Sequence, residues 1–585
     1  MITVSGLSKQ YGKQVLFSDI TFSVGDKERV GLVARNGHGK STLFKILTGE
    51  EPYDEGKIIT PQNYRIGYLN QHINFTKSTV LEEACLGLPE ENIHDEWRVE
   101  KILSGLGFID ADFGRDPHEF SGGYQIRINL AKVLVSEPNL LLLDEPTNFL
   151  DILSIRWLTT FLKSWPNELV IICHDRNFMD AITTHTMAIH RSGIRKIAGT
   201  TTHYYNKVAE EEEIYEKSRI NEEKKRREAE DFINRFRAKA SKSKQVQSRV
   251  KALEKQGQME KLDNIATLAF SFRHAPFAAK NVMEIKGLTF GYDDKPNLID
   301  DLSFAVGATD KICIVGKNGK GKTTLLKLLA GHLDARSGEV KEHAKIQKAY
   351  FEQSHTASFH EDMTIEDELI ANHPDNDRGA ARKICGAMMF SGDLALKKIS
   401  VLSGGEKCRV LLGNLLVKPA NLLLLDEPSN HLDMESTDAL MDATAKFKGA
   451  VIMITHNEAI LHRLATKLIV FHNDEIFYFD GNYSDFLSQI GWGDESSPKI
   501  QGNNADKKTK PKLNKKELRK ARADLNARRS KTLTPLKEKM AELESLIPTL
   551  EVGQKEWAKA EAEREKISLK YEKALAEFDA EKALL

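Results

Sequence analysis

Two stretches of the chain contain four leucines in a row with no polar residue between them. They lie in "NLLLLDEPTNFLD" (Asn139–Asp151) and "NLLLLDEPSNHLD" (Asn421–Asp433). A run without polar alternation is typical of a central parallel strand that is buried on both faces. Each run ends in two acids, which such a strand delivers to the sheet edge where ligands bind. The pattern therefore predicts two α/β domains, each with a ligand site at its sheet edge.

A second pattern occupies the middle of the chain, where neither glycine nor proline interrupts residues 200–256. Apolar residues recur there at the helical spacings of four and three, at Phe232 and Phe236 and again at Val246, Val250 and Leu253. Between the two groups lies the polar and basic "RAKASKSKQ", residues 237–245. We therefore predict two long helices that form a hairpin with its tip at this basic segment.

The C-terminal part begins with a polar segment, residues 493–512, whose glycine and proline are typical of a flexible tether. Two apolar seams follow on either side of Gly553: Leu536, Met540, Leu543, Ile547 and Leu550, then Trp557, Ile567, Tyr571, Ala574 and Phe578. Their spacing predicts an antiparallel coiled-coil hairpin, with Pro548 kinking the first arm. Self-association, docking onto a protein and RNA binding all remain open for this domain.

The sequence also repeats itself. Lys40 is matched by Lys322 and Asp144 by Asp426, and both offsets are 282 residues. A constant offset over this span indicates a duplicated domain. We predict a first nucleotide-binding domain, a basic helical-hairpin linker, a second nucleotide-binding domain, a flexible tether and a C-terminal coiled-coil hairpin, over residues 1–203, 204–280, 281–490, 491–512 and 513–585.

Each copy contains a glycine-rich loop, "ARNGHGKST" (Ala34–Thr42) and "GKNGKGKTT" (Gly316–Thr324). Glycines let backbone N–H groups converge on phosphate oxygens at a helix N-terminus. The loop lysines would reach the β- and γ-phosphates of ATP, and Ser41 and Thr323 would bind Mg²⁺. Ala34 departs from the glycine that is usual at this position. The predicted ATP-binding residues of the loops are Asn36, Gly37, Gly39, Lys40, Ser41, Thr42, Gly316, Asn318, Gly319, Gly321, Lys322, Thr323 and Thr324.

The acids after the leucine runs are candidates for the chemistry. We expect Asp144 and Asp426 to hold Mg²⁺, and Glu145 and Glu427 to orient or deprotonate the attacking water. Adjacent acids at a strand end are also compatible with plain surface charge. Their position after an all-leucine run, in a copy that carries a phosphate loop, favours catalysis.

Between these motifs lies a second predicted anion site, in "FSGGYQIRINLAKVL" (Phe120–Leu134) and "LSGGEKCRVLLGNLL" (Leu402–Leu416). A serine and two glycines open a helix there, and they offer a hydroxyl, amides and the positive end of the helix dipole. The predicted ligands are Ser121, Gly122, Gly123, Ser403, Gly404 and Gly405.

Together these motifs resemble the signature set of ATP-binding-cassette (ABC) ATPases, and the match covers both copies. The resemblance implies two P-loop domains, each with a RecA-like core, an antiparallel β subdomain and a helical subdomain. It also implies a monomer whose two cassettes pair head to tail. One site would then combine Lys40, Ser41, Asp144 and Glu145 with Ser403 and Gly405, and the other Lys322, Thr323, Asp426 and Glu427 with Ser121 and Gly123.

The same resemblance assigns further residues in each copy. Gln71 and Gln353 match the Q-loop, which senses Mg²⁺ and the γ-phosphate, and His174 and His456 match the switch histidine. Tyr11 and Tyr292 match the aromatic residue that stacks on adenine. Taken alone, these histidines and tyrosines are also compatible with structural roles.

Charge narrows the kind of partner. The net charge of −1 hides two basic segments, with 14 Lys/Arg against 6 Asp/Glu in residues 217–255 and 12 against 2 in residues 507–531. Such segments favour a polyanionic partner, although solvated helix faces have similar composition. The five cysteines lie far apart, and neither a signal peptide nor a long apolar run is visible. We expect a cytoplasmic protein without a membrane segment.

Two cassettes joined by a long charged connector resemble the ABC-F class of translation-associated ATPases. The resemblance implies that the ATP-closed form binds the ribosome near the tRNA exit site and that its connector reaches tRNA. We assign RNA contacts, to rRNA or tRNA, to Arg237, Lys239, Lys242 and Lys244, with a plain strut as the alternative. The Q-loop and signature serine are 50 residues apart in both copies, which suggests that the extra arm of some members is absent.

Two other classes remain open. A DNA-repair or chromosome-associated ABC ATPase would place the basic segments on DNA, but it usually carries a very long coiled coil or a zinc module. The energy subunit of an ABC transporter would need membrane domains from a partner and would leave the basic connector unexplained. Because the acids and lysines persist in both copies, we expect two competent sites.

Overall fold

The chain divides into two units, Met1–Glu495 and Ser496–Leu585. The computed structural model describes residues 1–492, except 13, 70–74, 93, 149, 237–246, 249, 252–267, 293–295, 353–358, 431 and 473–474, together with residue 570. Most of the predicted tether and coiled-coil hairpin therefore lie outside the described residues. So do Gln71, Gln353 and the four basic residues at the predicted hairpin tip. Within the first unit, two cassettes follow one another along the chain.

Each cassette contains a three-stranded antiparallel sheet and a six-stranded sheet. The strands of the first cassette are β1 Ile2–Tyr11, β2 Gln14–Val24, β3 Arg29–Val33, β4 Glu55–Ile59, β5 Ile66–Tyr68, β6 Leu140–Asp144, β7 Glu168–Ile172, β8 His185–His190 and β9 Gly193–Ala198. The larger sheet has the order β5-β6-β7-β3-β8-β9, in which only β9 runs antiparallel to its neighbour. Both the phosphate loop after β3 and the acids at the end of β6 thus lie at the same edge of a parallel core.

Helices alternate with the strands of the first cassette, and a long helix begins the connector. They are α1 Lys40–Thr48, α2 Val80–Cys85, α3 Glu96–Gly105, α4 Gly122–Val135, α5 Ile152–Lys163, α6 Arg176–Ile182 and α7 Thr201–Phe236. Side-chain caps mark where three of them begin, at Thr79, Asp151 and Asp175. Asp151 accepts a hydrogen bond from the backbone of Ser154 at α5, and Asp175 caps α6 in the same way.

The second cassette repeats this arrangement. Its strands are β10 Asn281–Phe290, β11 Ile299–Gly307, β12 Lys311–Gly316, β13 Ser337–Glu342, β14 Lys348–Phe351, β15 Leu422–Asp426, β16 Ala450–Ile454, β17 Lys467–His472 and β18 Glu475–Phe479. Its helices are α8 Lys322–Ala330, α9 Ile365–Asn372, α10 Arg378–Ala387, α11 Gly404–Val417, α12 Met434–Lys446, α13 Glu458–Leu464 and α14 Tyr483–Gln489. The order β14-β15-β16-β12-β17-β18 reproduces that of the first sheet, and the predicted α/β fold with two P-loop cassettes is confirmed.

The leucine runs form the buried strands that their pattern predicts. All five residues of β6 and of β15 are buried. Leu141 and Leu143 pack into one hydrophobic cluster of the first cassette, whereas Leu140 and Leu142 pack into another. Because successive side chains of a strand point to opposite faces, β6 joins the two apolar layers of its domain.

The connector begins as helix α7, whose N-terminal third is anchored to the first cassette, where Glu211 pairs with Arg195 and Glu212 with Arg191. The backbone N–H and hydroxyl of Thr201 donate to the carboxylate of Asp180 at 2.8 and 3.0 Å, and Tyr204 is buried. From residue 205 to residue 231 no side chain is buried. Ion pairs such as Arg219–Glu223, at 2.9 Å, run along this exposed part. Among the described residues, no helix is long and apolar enough to cross a membrane.

Candidate functional site

The two phosphate loops depend on glycines in left-handed backbone conformations. Gly37 and Gly39 have φ angles of 79° and 83°, and Gly319 and Gly321 have 78° and 99°. A Cβ atom added at Gly37 or Gly319 would meet nothing within 4 Å, so the requirement there is conformational and not steric. Glycine adopts these angles without strain, which explains its place in both loops.

The loop lysines are buried and held by their own loops. Lys40 donates to the carbonyl of Ala34 at 2.8 Å, and Lys322 donates to the carbonyls of Gly316 and Lys317 at 2.9 and 2.8 Å. Burial lowers the pKa of both ammonium groups. Each site therefore concentrates a buried positive charge where the phosphates of ATP are expected.

The loops differ at their first residue. Gly316 has a φ of 143°, and a Cβ atom there would lie 2.3 Å from the carbonyl oxygen of Phe471. Ala34 occupies the equivalent place in the first loop. Its carbonyl nevertheless accepts from Lys40 as that of Gly316 does from Lys322, so the departure from glycine leaves the lysine contact intact.

The aspartates at the ends of β6 and β15 each meet a hydroxyl of the phosphate loop. Burial raises the pKa of Asp144, and it raises the pKa of Asp426 to about 6. The nearby hydroxyls of Ser41 and Thr323 lower the pKa of Asp144 and of Asp426, respectively, against this effect. Among the described residues, Oδ2 of Asp144 is buried without a hydrogen-bond partner. A carboxylate oxygen that lacks a partner beside a hydroxyl suits a hard cation such as Mg²⁺.

The neighbouring glutamates have strained backbones. Glu145 has a φ of 50° and Glu427 a φ of 44°, in a region that non-glycine residues rarely occupy. Their N–H groups donate to the carbonyls of Ile172 and Ile454 at 2.9 and 3.0 Å, which ties each strained residue to the next strand. The same unusual φ therefore recurs at the equivalent position of each cassette.

A histidine lies beside each glutamate. Nε2 of His174 is 3.0 Å from Oε1 of Glu145. In the second cassette, Nε2 of His456 is 3.0 Å from Oδ1 of Asn318 and 3.5 Å from Oε1 of Glu427. Burial lowers the pKa of His456 well below its ordinary value, so this imidazole is neutral. The structure thus brings the predicted switch histidines together with the predicted catalytic acids.

The two signature serines are not equivalent. Both are N-caps, of α4 and α11, and each is followed by its two predicted glycines. The hydroxyl of Ser403 donates to the carboxylate of Glu406 at 2.9 Å, and so does its backbone N–H. Ser121 makes no side-chain cap bond, and Tyr124 stands where the second copy has Glu406. A carboxylate therefore occupies the anion-binding end of α11 but not that of α4.

The predicted adenine-stacking tyrosines are exposed rings near the phosphate loops. Tyr11 is 49% and Tyr292 is 43% exposed. The hydroxyl of Tyr292 lies 3.3 Å from that of Thr324, and the hydroxyl of Tyr11 donates to Glu51 at 2.7 Å. Both rings are accessible to a flat ligand.

The cassettes meet through two aspartates that the sequence analysis did not assign. Oδ2 of Asp151 accepts from the backbone N–H of Asn318 in the second phosphate loop at 3.4 Å. Asp433, at the equivalent position, accepts from the backbone of Asn36 in the first loop. Each cassette thus places a carboxylate on the phosphate loop of the other. The signal was the aspartate that ends both copies of the strand motif, directly before a helix.

The residues that follow these aspartates insert into the opposite cassette. Ile152 is completely buried in a cluster with Val315 and Leu461 of the second cassette. Met434, its counterpart, is buried in the main cluster of the first cassette. The apolar contact is therefore reciprocal, and it holds the two loops against each other.

Arg127, on the helix that Ser121 opens, supports this contact. The side chain is 1% exposed, donates to the carbonyl of Leu106 at 2.8 Å, and lies 3.6 Å from Oδ2 of Asp151. Burial opposes ionisation of Asp151, but Arg127 holds the pKa of this carboxyl below its ordinary value. Arg127 also acts electrostatically on Lys322 of the second loop. The first signature helix therefore lies opposite the second phosphate loop.

A cavity of about 380 Å³ lies beside Lys322. It is lined by Asp426, Glu427 and His456 and by Asn148 of the first cassette. Both cassettes therefore contribute residues to the space beside the second phosphate loop.

Comparison with known proteins agrees with this geometry. Family models described as "ABC transporter" match residues 17–148 and 299–430, and another with the same description matches residues 187–272. The solved structure of RNase-L Inhibitor shares the fold, with a TM-score of 0.57 at 19% identity, over 83% of this chain and 93% of that one. The protein is a tandem ABC ATPase.

Two curated relatives refine the class. Probable ATP-binding protein YbiT of Escherichia coli O157:H7 is 33% identical, over 84% of this chain and 100% of its own length. ABC transporter F family member 2 of Arabidopsis thaliana is 31% identical, over 83% of this chain and 79% of its own. The chain belongs to the ABC-F family.

The buried carboxyl of Glu145 should make stability depend on pH. Burial raises its pKa to about 8, whereas an unfolded carboxyl releases its proton near pH 4.5. Between these values the folded state binds the extra proton, so the free energy of unfolding falls as pH rises. We expect the Glu145→Gln variant to gain melting temperature relative to the wild type across this window, and the gain to level off above about pH 8. Nucleotide-free thermal unfolding measures it, with Glu339→Gln, on β13, as the control. A difference that does not change with pH would contradict the assignment.

Removal of Arg127 should leave Asp151 as an unpaired buried charge. Breaking such a pair costs about 3 kcal/mol or more, so Arg127→Met should lower the free energy of unfolding by about that amount. Adding Asp151→Asn should recover at least half of the loss because the carboxylate is then gone. Denaturant unfolding of the two single variants and the double variant measures the coupling. Purely additive losses would exclude the proposed pair.

Proposed function

We propose that this ABC-F ATPase binds the ribosome when ATP has closed its cassettes, that it modulates translation there, and that hydrolysis releases it. The family membership supports the choice of client. The proposed coupling between closure of the cassettes and ribosome binding is supported by the start of the connector, which contacts the interface between the cassettes. Tyr205 of α7 lies 4.9 Å from the guanidinium of Arg176, and Arg176 pairs with Asp438 of the second cassette at 2.8 Å. This contact is the observation that carries the proposal.

We propose the following roles at each nucleotide. Lys40 and Lys322 neutralise the β- and γ-phosphates, and the opposite signature serines, Ser403 and Ser121, close over the γ-phosphate. The contacts of Asp433 and Asp151 with the loops, which the structure already contains, would help to hold this state. ATP shifts the protein towards the closed state only as far as it binds the closed cassettes more tightly than the open ones.

Ser41 with Asp144, and Thr323 with Asp426, would hold Mg²⁺. When bound, this ion neutralises charge on the β- and γ-phosphate oxygens. Gln71 and Gln353, outside the described residues, are the further proposed ligands. The unpartnered Oδ2 of Asp144 is the feature of the structure that favours this assignment.

Glu145 and Glu427 would each accept a proton from the attacking water, whose oxygen bonds to the γ-phosphorus while the bond to the β-phosphate oxygen breaks. The strained backbone at each glutamate fixes the direction of the carboxyl group. His174 and His456, next to these carboxyls, would orient the leaving phosphate. Loss of that phosphate removes the group that both cassettes hold, so the interface loosens.

The connector would carry the contact with RNA. Arg237, Lys239, Lys242 and Lys244 follow directly on α7, and phosphates and 2′-hydroxyls are the groups that such side chains bind without base readout. Helix α7 is stabilised along its exposed length by ion pairs and not by burial, as is suitable for an element that extends away from its own cassette. A cytoplasmic location and the absence of an extra arm remain parts of this proposal, as does the C-terminal coiled coil.

The Glu145→Gln and Glu427→Gln double variant should trap the closed state. With ATP it should sediment with intact ribosomes from a lysate, and it should bind purified ribosomes directly. Wild-type protein with ADP should remain mostly in the supernatant, because the closed state is then not held.

Two treatments control this result. Digestion with RNase should abolish the co-sedimentation, and adding Lys40→Ala and Lys322→Ala to the trap should abolish it without affecting the ribosomes. Association with DNA or membrane fractions in place of ribosomes would refute the proposed client.

Replacing Arg237, Lys239, Lys242 and Lys244 by Ala should weaken ribosome binding by about tenfold or more at moderate salt. The dependence of binding on salt should become shallower, while basal ATPase stays near that of the wild type. The matched control replaces four lysines of the described helix, Lys207, Lys217, Lys224 and Lys225. If both variants bind like the wild type, the connector is a strut.

A further inference from the structure

Among the described residues, three arginine–carboxylate pairs cross the interface between the cassettes, and these three have the same polarity. They are Arg35–Glu435 at 2.6 Å, Arg156–Glu458 at 2.5 Å and Arg176–Asp438 at 2.8 Å. The base always belongs to the first cassette and the acid to the second.

Duplication makes this polarity informative. The offset of 282 residues relates Arg156 to Asp438 and Arg176 to Glu458. The pairs Arg156–Glu458 and Arg176–Asp438 are therefore the two images of one contact between helices of opposite cassettes. The two contacts join equivalent positions, but the residue types at these positions differ between the cassettes. The first cassette has arginine at both positions, and the second has an acid at both.

If two identical cassettes paired, this attraction would become repulsion. Two first cassettes would bring Arg156 against Arg176, and two second cassettes would bring Asp438 against Glu458. Like charges at an interface cost far more than a partly exposed ion pair contributes. Such repulsion is a means of rejecting a partner, not of tightening a contact.

The central contacts of the interface do not make this distinction. Asp151 and Asp433 are the same residue at equivalent positions, and Ile152 and Met434 are both large and apolar. Residues of these types suit a pairing of identical cassettes as well as a pairing of different ones. The charged side chains of Arg156, Arg176, Asp438 and Glu458 do distinguish the two kinds of pairing.

Neighbouring groups hold the charged side chains in place. Glu458 also accepts from the hydroxyl of Tyr483 at 3.0 Å, and Arg176 lies over the ring of Tyr205. The side chains of Arg156 and Arg176 are 21% and 27% exposed. Because they are partly buried and fixed, they cannot easily turn away from a like charge.

We propose that Arg156 and Arg176 and the acids Asp438 and Glu458 form a pairing code. The pair Arg35–Glu435 is not part of it, because the equivalent positions hold Lys317 and Leu153. The code makes a first cassette accept only a second cassette, so that ATP closes the chain on its own other half and does not link copies through identical cassettes. Because the connector links the two cassettes of one chain, each cassette then pairs with the other cassette of its own chain more readily than with that of another copy. This inference rests on the proposed closure by ATP and not on the ribosome as client.

The test uses full-length chains that carry the Glu145→Gln and Glu427→Gln trap. One variant adds Arg156→Glu and Arg176→Glu, so that both cassettes are acidic at these positions. Another adds Asp438→Arg and Glu458→Arg, so that both are basic. With ATP, the ratio of closed to open molecules should be lower by about tenfold or more in each variant alone than in the trap. The ATP-dependent increase in sedimentation coefficient measures this ratio.

Two combinations should restore closure. An equimolar mixture of the acidic and basic variants should form a dimer of twice the monomer mass upon addition of ATP, because complementary cassettes now lie on different chains. The chain with all four substitutions should close as a monomer like the trap itself. Reversal at Arg98 and Arg115, which pair within the first cassette, is the matched control and should change nothing.

Three results would overturn the code: closure of the acidic or basic variant like the trap, no dimer in the mixture, or no recovery in the fourfold swap. If a reversed variant fails to fold by circular dichroism, Arg156→Gln with Arg176→Gln decides by the same measurement. In that variant the two positions of the first cassette neither attract nor repel the acids of the second cassette, so fewer molecules should close with ATP than in the trap. An equal closed fraction would refute the code. Loss of ribosome binding with closure intact would refute the client alone, so the two proposals fail separately.

Discussion

The reciprocal hydrogen bonds of Asp151 and Asp433 are the contacts on which the paired arrangement depends. Each carboxylate caps a helix in its own cassette and accepts from the backbone of the other cassette's phosphate loop. Both are buried, so each needs its partners to offset the loss of water. Separation of the cassettes would remove one partner from each site at the same moment. The state of one phosphate loop is therefore coupled to the position of the opposite sheet edge.

Features set by neighbours along the chain were predictable. The leucine runs became doubly buried strands, and the loop glycines adopted left-handed angles because no other residue does so without strain. The connector is helical through the last described residue before 237, as its lack of glycine and proline indicated. In each case the residues that determine the local structure are close in sequence, so the sequence pattern predicts it.

What was missed depends on residues that are distant in sequence. Asp151 and Asn318 are separated by 167 positions, and neither residue has a local pattern that indicates the other. The backbone of Glu145 is bonded to Ile172 of β7, on another strand. The contact of Ser403 with Glu406 is the exception, because these residues are close in sequence and form a capping box that the sequence pattern could have shown. Complementary charges such as Arg156 and Glu458 lie on different helices, and only the superposition of the two copies shows that they are one contact. Long-range pairing, more than secondary structure, set the limit of the sequence analysis.

Helix α7 has 36 residues, which at 1.5 Å per residue is about 54 Å of rigid rod. Its contacts with the first cassette extend to Glu211 and Glu212, which pair with Arg195, Arg191 and His190. The part of the helix beyond Glu212 is about 36 Å long at 1.5 Å per residue. A tilt of about 5° at its base would move the far end by about 3 Å, so a small rotation beside the cassette becomes a larger displacement at the end of the connector helix.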